Sequence, residues 1–394
     1  MVGGDALSIA CSEIELLRNA WKAVKKNRGA AGPDGCTISA FERSSQQRLK
    51  RMAAKLRWGD YRFARMRNIE SPKPNGGVRR LSIPNVSDRV ILQAIRMVIE
   101  PFFEPLMSRN SHGFRPGRGA QTALKSLMTS LRSGNKWVLE TDIRSFFDSI
   151  DHTSLLRQIG EITPQFSCSQ LLKRSLRMTS RHWLWRIWAP PVAGLAQGSP
   201  LSPLLSNCFL LPFDNRLDAF SKGKLVRYVD DLVVLCPSQE FARVGQTLVH
   251  QTLSDLKLTM HPGKTRIVDS AAEPFEFLGF EIFQAQCRPS KSNIQKLRQR
   301  LGRAVSGRRR LSGSARITEL APCIRSFAWY FGQCDKVNVF HSLDAEIHQR
   351  MSRIIVDRKL LDTLPRLTTL SEKWTSSTAR PHRRHSSKRW NGDG

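Results

Sequence analysis

Residues 225–235 read LVRYVDDLVVL, in which two adjacent acids lie between two apolar runs. Apolar runs of this length are typical of buried strands. We therefore predict a hairpin of buried strands with Asp230 and Asp231 at its tip. A carboxylate in such surroundings costs free energy unless a cation compensates its charge, so the pair is a candidate functional site.

A third acid ends another predicted strand. Residues 137–142 read WVLETD, and we expect a buried strand that ends on Asp142. Transfer of a phosphoryl group to a 3′-hydroxyl uses two divalent ions ~3.5–4 Å apart, and the hard Mg²⁺ ion prefers oxygen ligands. Acids at the ends of adjacent rigid strands meet this need. The alternative interpretation is a solvated hairpin tip at Asp230 and Asp231, with Asp142 as a strand-end cap.

The charge of the chain points to a polyanionic partner. Its 394 residues include 63 Lys and Arg against 33 Asp and Glu, which gives a formal net charge of +30. Such a charge destabilises a compact state by self-repulsion, and a bound polyanion relieves it. Nucleic acid fits best, because Lys and Arg on a phosphate backbone release condensed counterions. An anionic membrane is disfavoured, because the sequence has no long uncharged apolar run and no basic amphipathic helix at either end.

Cysteine usage and the N-terminal residues bear on the compartment. The eight cysteines form no Cys-x-x-Cys pair and show no zinc-ligand spacing with histidine. We interpret most of them as small core residues in a reducing environment. The first residues lack the basic start and apolar core of a signal peptide, so we predict a cytoplasmic protein that does not associate with membranes.

The remaining segments predict the fold class. Hydrophobic periodicity predicts helices over 12–28, about 41–57 and 86–107, and a mainly helical region over 291–360. A hairpin-like loop at 71–77 leads into an extended segment at 78–84. Strands separated by helices, without strict alternation, favour an α+β fold with helices on one face of the sheet.

Several motifs resemble those of reverse transcriptases of the group II intron type. Tyr228-Val229-Asp230-Asp231 matches the Tyr-x-Asp-Asp box, and residues 140–152 (ETDIRSFFDSIDH) are similar to the first palm motif of that family. The other matches, in the expected order between residues 12 and 355, are NSHGFRPGR at 110–118, QGSPLSP at 197–203, HPGKT at 261–265 and FLGF at 277–280.

The resemblance implies a right-hand polymerase. Its parts would be an N-terminal extension and fingers over 1–135, a ferredoxin-like palm with the catalytic carboxylates over 136–283, a helical maturase-like thumb over 284–366 and a basic tail over 367–394. The aromatic residues near 327–331 are interpreted as helix core, and Asp148 and Asp151 as structural acids.

The resemblance also implies roles for individual residues. It assigns catalysis and metal binding to Asp142, Asp230 and Asp231, with the Ile143 carbonyl as a further ligand of two Mg²⁺ ions that Mn²⁺ can replace. Phe147 matches a steric gate against the ribose 2′-hydroxyl, and a core aromatic is its alternative interpretation. The residues implied in dNTP binding are Lys73, Arg79, Phe147, Gln197, Gly198 and Lys264, and those implied in nucleic-acid binding are Arg115, Arg118, Tyr228, Lys296, Arg300 and Arg303.

The sequence departs from the family pattern at some positions. Arg80 stands where the family usually has proline, Val229 fills a slot commonly occupied by alanine, and no His- and Cys-rich endonuclease segment is visible. We therefore expect a free-standing enzyme with a host role such as DNA repair or phage defence.

The sequence motifs bear on three classes of function. The first is an RNA-directed DNA polymerase that extends a primer with dNTPs and also copies DNA, with an RNA template and a DNA primer or template as partners. The second is an intron-encoded maturase that binds intron RNA to assist splicing and retrohoming. The third, a two-metal nuclease, is disfavoured by the fingers and steric-gate matches. The sequence leaves a homodimer open.

Overall fold

A computed structural model describes residues 3–72, 78–178, 192–306, 312–334, 337–355 and 357–371. The chain separates into two compact units, Met1–Ile267 and Val268–Gly394. The domain limits expected from the sequence remain a prediction, and most of the expected basic tail lies outside the described residues.

The first unit contains twelve α-helices within its described residues. They are α1 (Ala6–Cys11), α2 (Ile14–Lys26), α3 (Ile38–Arg43), α4 (Ser45–Arg57), α5 (Val86–Phe103), α6 (Ala120–Arg132), α7 (Phe146–Ser149), α8 (His152–Ile162), α9 (Gln170–Leu176), α10 (Ser202–Phe209), α11 (Leu211–Asp218) and α12 (Gln239–Asp255). The strands are β1 (Arg67–Pro72), β2 (Val78–Ile83), β3 (Trp137–Asp142), β4 (Lys224–Tyr228), β5 (Asp231–Cys236) and β6 (Arg266–Asp269), the last of which spans the division between the units.

Helix α2 shows why these segments fold locally. Leu17, Ala20, Trp21 and Val24 recur at helical spacing and are buried, as the sequence predicts. Basic residues fill the last turn, where they face the negative end of the helix dipole. The predicted helix over 12–28 is therefore confirmed with slightly shorter bounds.

A four-stranded sheet with the order β4-β5-β3-β6 positions the predicted acids. Helices connect β3 to β4, a tight turn connects β4 to β5, and α12 connects β5 to β6. This βαββαβ order with β3 and β5 at the centre is the ferredoxin-like arrangement expected for the palm. The α+β class is confirmed.

The two central strands are buried because their side chains face protein on both sides. Strands β3 and β5 are antiparallel, and Leu139 lies opposite Val234. Both are fully buried in the main core with Val249 and Leu253 of α12. A strand buried in this way has a nearly continuous apolar sequence, which is the pattern that predicted it.

The second unit contains a small antiparallel sheet followed by helices. Its strands are β7 (Phe275–Phe277), β8 (Phe280–Phe283) and β9 (Gln286–Pro289), and its described helices are α13 (Lys291–Ser306), α14 (Gly313–Phe331), α15 (Val337–Ser352) and α16 (Arg358–Asp362). The Phe280 ring packs against Tyr330 and Phe331 of α14, with ring centroids 5.4 and 4.9 Å apart. Phe327 and Phe331 are buried as expected, whereas Trp329 is 51% exposed and is not a core residue.

All eight cysteines are free thiols, and five of them are buried. Cys168 is exposed, and Cys36 and Cys323 are partly buried, so the core interpretation holds for most of the set but not for these three. Among the described helices, none combines the length and the apolar composition needed to cross a membrane.

Candidate active site

The turn between β4 and β5 brings two of the predicted acids to the end of the sheet. Tyr228 pairs with Asp231 across the hairpin, which leaves Val229 and Asp230 as the turn residues. Val229 has a φ of +64°, in the left-handed region that β-branched residues rarely adopt. Strained backbone of this kind is concentrated at functional sites.

Strand β3 brings the third acid to the same place. Asp142 lies directly opposite Asp231 in the antiparallel register, so both side chains point to the same face of the sheet. The amide of the next residue, Ile143, donates to the Asp230 carbonyl at 3.3 Å. The structure therefore brings Asp142, Ile143, Asp230 and Asp231 together, as the sequence predicts.

The neighbouring acids perturb Asp231. Asp231 reaches solvent at the strand end, yet the surrounding protein desolvates it in part. This desolvation, together with the negative charges of Asp230 and Asp142, raises the pKa of Asp231 to about 7. Desolvation and like charge therefore disfavour the ionised carboxyl by more than the nearby Lys264 favours it.

Lys264 supplies part of that positive charge. It ends a short 3-10 turn, Pro262–Lys264, and its ammonium forms an ion pair with Asp142 Oδ2. Partial burial opposes the charge on the ammonium, but the hydrogen bond and the nearby carboxylates outweigh burial and raise the pKa of Lys264. The resemblance implied that Lys264 binds the nucleotide. In the structure, its ammonium pairs with Asp142.

The site fits a divalent cation chemically. Asp142 Oδ1 is buried and has no hydrogen-bond partner in the described part of the chain, and Asp231 is held next to two other acids. Both features are relieved by a cation that takes oxygen ligands. Within the described ranges, however, no group of three or more His, Cys, Asp or Glu side chains is already arranged as a metal site. The Lys264 ammonium pairs with Asp142 Oδ2, so Oδ1 is the oxygen of Asp142 that is open to a cation.

The turn at Gln197 and Gly198 lies against strand β2. The Ser82 amide donates to the Gln197 carbonyl at 2.7 Å. Gly198 has a φ of +121°, and a Cβ there would lie 2.5 Å from the Ser82 carbonyl oxygen. Only glycine permits this approach of two backbones. Of the other residues predicted to bind dNTP, Lys73 and the Arg79 side chain lie outside the described part of the chain.

Phe147 is partly buried beside Phe146, with ring centroids 5.5 Å apart. Its carbonyl accepts from the Leu195 amide at 2.6 Å, which ties the segment to the loop before Gln197. Asp151 accepts from the Ser154 amide at 2.9 Å as the cap of α8, in agreement with its structural interpretation. The steric-gate role of Phe147 remains a prediction.

The prediction for Arg115 needs correction. Its side chain is only 5% exposed, and its guanidinium is bonded to the Glu104 carboxylate and to the carbonyls of Ser108 and Ser111. No donor is directed to solvent for a phosphate, so Arg115 stabilises the loop. Arg118 is partly exposed and donates to the Arg109 carbonyl at 2.7 Å.

The other residues predicted to bind nucleic acid are accessible. Lys296, Arg300 and Arg303 lie on the exposed side of α13, whose Leu297 and Leu301 are buried. Tyr228 is partly buried beside the acids, and desolvation together with the Asp231 charge raises its pKa.

Two fully buried charged residues were not predicted from the sequence. Arg227 is fully buried in β4 and pairs with Asp214 of α11. An arginine inside the apolar run Leu225–Leu235 is the feature that could have drawn attention to it, because charged residues are almost never fully buried unless paired.

Two protein families match the sequence of this chain. Residues 71–282 match the family described as reverse transcriptase (RNA-dependent DNA polymerase), and residues 294–359 match the group II intron, maturase-specific domain. The putative COX1/OXI3 intron 1 protein of Saccharomyces cerevisiae is 26% identical over 334 residues, which cover 71% of this chain and 40% of that protein. The group II intron-encoded protein LtrA of Lactococcus lactis subsp. cremoris is 32% identical over 197 residues, which cover 50% of this chain and 32% of that protein.

The chain thus spans between 32% and 40% of the length of these two relatives. A solved structure of apo telomerase from Candida Tropicalis is 14% identical, with a TM-score of 0.48, and the match covers 87% of this chain and 63% of that one.

Proposed function

We propose that this chain, which belongs to the group II intron-like reverse transcriptases, extends a primer with deoxynucleotides on an RNA template. The observation that supports this most is the position of Asp142 directly opposite Asp231, next to the turn residue Asp230. A pure RNA-binding protein has no need for three mutually repelling acids at one strand end.

In this proposal, Asp142, Asp230 and Asp231 would hold the Mg²⁺ ions, and the Ile143 carbonyl would be a further ligand. The chemistry supplied at such a site is activation of the primer 3′-hydroxyl and stabilisation of the leaving pyrophosphate oxygen by two divalent cations. Mn²⁺, which also takes oxygen ligands, is an expected substitute.

The chain's own residues would position the substrates. Phe147 crowds the ribose 2′-hydroxyl, and Gln197 and Gly198 line the nucleotide through a turn held against β2. Lys264, which lies beside Asp142, would offer its proton to the leaving pyrophosphate. Positive groups of this kind offset the charge that develops during phosphoryl transfer.

The exposed basic side of α13 would bind the backbone of the primer–template duplex. Lys296, Arg300 and Arg303 are candidates for phosphate contacts, which fix position without reading sequence. We further propose that the enzyme also copies DNA and has a host role in DNA repair or phage defence.

The match of residues 294–359 to a maturase-specific domain favours a second candidate function. In it, the chain binds intron RNA and assists its splicing. This function needs the basic surface but not the acids.

One primer-extension experiment tests the polymerase. The protein is incubated with Mg²⁺, dNTPs and a primer on matched RNA and DNA templates, beside Asp230→Ala. We expect extension by the wild type and a loss of about 10³-fold or more in the variant, because metal ligation contributes several kcal/mol to the barrier. Asp255→Ala is the control, since Asp255 is exposed and pairs only with Arg216 at 2.8 Å in the described contacts.

Two outcomes contradict the polymerase proposal. One is a wild type that binds RNA but extends no primer on either template. The other is an Asp230→Ala variant that extends as the wild type does. In the first case, splicing of a group II intron RNA by the wild type and by Asp230→Ala alike would favour the maturase.

A further inference from the structure

Arg227 is the largest side chain that is fully buried in the described part of the chain. Asp214, its ion-pair partner, is also 0% exposed. Burial of two charges carries a desolvation penalty that is repaid only when the geometry is good and every donor is satisfied. The remaining contacts of Arg227 are therefore informative.

All five N–H donors of the Arg227 guanidinium are used. Nε and Nη2 donate to the two oxygens of Asp214 at 2.7 and 2.5 Å, which is the bidentate arrangement that arginine favours. Nη2 also donates to Ser111 Oγ at 2.8 Å, and Nη1 donates to Asn207 Oδ1 at 3.2 Å. The fifth bond runs from Nη1 to the carbonyl of Val229 at 3.0 Å.

The fifth bond reaches the turn that carries the acids. The Val229 carbonyl and the Asp230 amide belong to one planar peptide, so a bond that fixes the carbonyl also fixes the amide. On the other side of Asp230, its carbonyl accepts from the Ile143 amide at 3.3 Å. The two peptide planes that flank Asp230 are thus held by Arg227 and by Ile143.

The same contacts keep the turn in a strained backbone conformation. Val229 has a φ of +64°, which costs free energy for a β-branched residue and persists only where the surroundings enforce it. Gly113 packs against the other side of Val229, and a Cβ at Gly113 would lie 2.5 Å from Val229 Cγ2. Asn207, a partner of Arg227, donates to the Gly113 carbonyl at 2.9 Å and so links the two supports.

We propose that Arg227 is a positioning residue for the catalytic turn: its guanidinium holds the Val229 carbonyl and thereby sets Asp230 and Asp231 beside Asp142. The proposal rests on the proposed polymerase function, in which these acids bind metal. Asp214, Asn207 and Ser111 orient the guanidinium and act through it.

The test measures metal affinity as well as activity. Arg227→Lys keeps a positive charge for Asp214, but a compact ammonium cannot span the carboxylate and the Val229 carbonyl as the planar fork does. We expect the Kd for Mn²⁺, measured by electron paramagnetic resonance on the protein alone, to rise about 10–100-fold, as for other residues that orient metal ligands. The kcat for primer extension is expected to fall about 100-fold, the size of effect produced by a small displacement of catalytic groups.

A stability control separates positioning from folding. Arg89 is another buried arginine, and it donates to the Ala30 carbonyl at 2.6 Å, a contact that does not involve the turn. Arg89→Lys is expected to keep its Kd for Mn²⁺ within about twofold of the wild type, well below the ~10-fold change expected for Arg227→Lys. The melting temperature of each variant reports its effect on folding. If Arg227→Lys does not fold, the double variant Arg227→Met, Asp214→Leu replaces it, because apolar residues of similar volume often substitute for a buried ion pair without loss of stability.

The outcomes are distinct. Weaker Mn²⁺ binding by a folded Arg227 variant, with unchanged binding by Arg89→Lys, supports the proposal. A folded Arg227→Lys or double variant that binds Mn²⁺ as the wild type does overturns it, and so does a wild type that binds no Mn²⁺. A wild type that binds Mn²⁺ but extends no primer refutes the polymerase function and leaves the effect of Arg227 on the turn measurable.

Discussion

Two charged clusters adjoin the same hairpin and differ in how their charges are compensated. At Arg227 and Asp214 both partners are fully buried, and every guanidinium donor has an acceptor. At Asp142, Asp230 and Asp231 the acids repel one another, Lys264 compensates only part of their charge, and Asp142 Oδ1 has no hydrogen-bond partner among the described residues. The first arrangement stabilises the fold, whereas the second costs stability. Negative charge that is only partly compensated, held in place by a fully hydrogen-bonded cluster, is what a binding site for a cation requires.

The comparison predicts that the buried cluster is the more sensitive to truncation. Arg227→Ala leaves Asp214 buried and unpaired, so we expect the free energy of unfolding to fall by about 3–5 kcal/mol. Chemical denaturation at neutral pH measures this loss. Under the same conditions, Asp231→Ala is expected to leave stability nearly unchanged, because it removes repulsion as well as packing. Equal losses in the two variants would mean that the clusters do not differ in the way described.

The second largest effect is expected where Gly113, in the loop before α6, packs against the turn residue Val229. Gly113→Ala places a Cβ 2.5 Å from Val229 Cγ2 and 2.9 Å from the Val229 amide nitrogen, so the turn must shift. Overpacking of this kind costs about 1–3 kcal/mol. We expect that loss in thermal unfolding, together with weaker Mn²⁺ binding.

Gly302 provides the matched control for this substitution. It lies within α13, and a Cβ there meets no atom of the described residues within 4 Å. Gly302→Ala is therefore expected to raise the free energy of unfolding by about 0.5–1 kcal/mol through improved helix propensity. If Gly302→Ala were also destabilised, the loss in Gly113→Ala could not be assigned to its contact with Val229.

The acids could be predicted from the sequence because the pattern that identifies them is local. The apolar runs around Asp142 and around Asp230–Asp231 specify buried strands. The last residue of each run then lies at the end of its strand, whatever the sequence of the rest of the chain. The facing of Asp142 and Asp231 follows once the two strands pair. The bounds of β3 were predicted to the residue for the same reason.

The buried arginines could not be assigned in this way, because their partners are distant in sequence. Arg227 depends on Ser111, Asn207 and Asp214, which are 116, 20 and 13 residues away. The charge of Arg115 and its motif led to the prediction that it binds nucleic acid. Only the fold shows that its guanidinium already donates to Glu104 and to two backbone carbonyls. Composition gives the number of basic residues on a chain but not which of them face inward.

The smallest expected effect is a dependence of stability on pH that originates at Asp231. Its pKa is raised from 3.8 to about 7 by partial desolvation and by Asp230 and Asp142, so the folded state retains a proton that the unfolded state has lost. By linkage, this proton stabilises the protein at low pH, and its contribution is lost as the pH rises from about 4 through 7. Because Asp231 is exposed to solvent, screening limits the contribution to about 1 kcal/mol.

Asp231→Asn removes that titration, so the variant should gain stability relative to the wild type between pH 5 and 8 in thermal unfolding without metal. Asp151 is the control: its hydrogen bond with Ser154 lowers its pKa, so it is ionised in both states above pH 5 and Asp151→Asn should leave the slope unchanged. Identical slopes for wild type and Asp231→Asn would show that the acids are already compensated. Added Mg²⁺ should stabilise the wild type at pH 8 but not Asp231→Asn, since a ligand stabilises only the state that binds it.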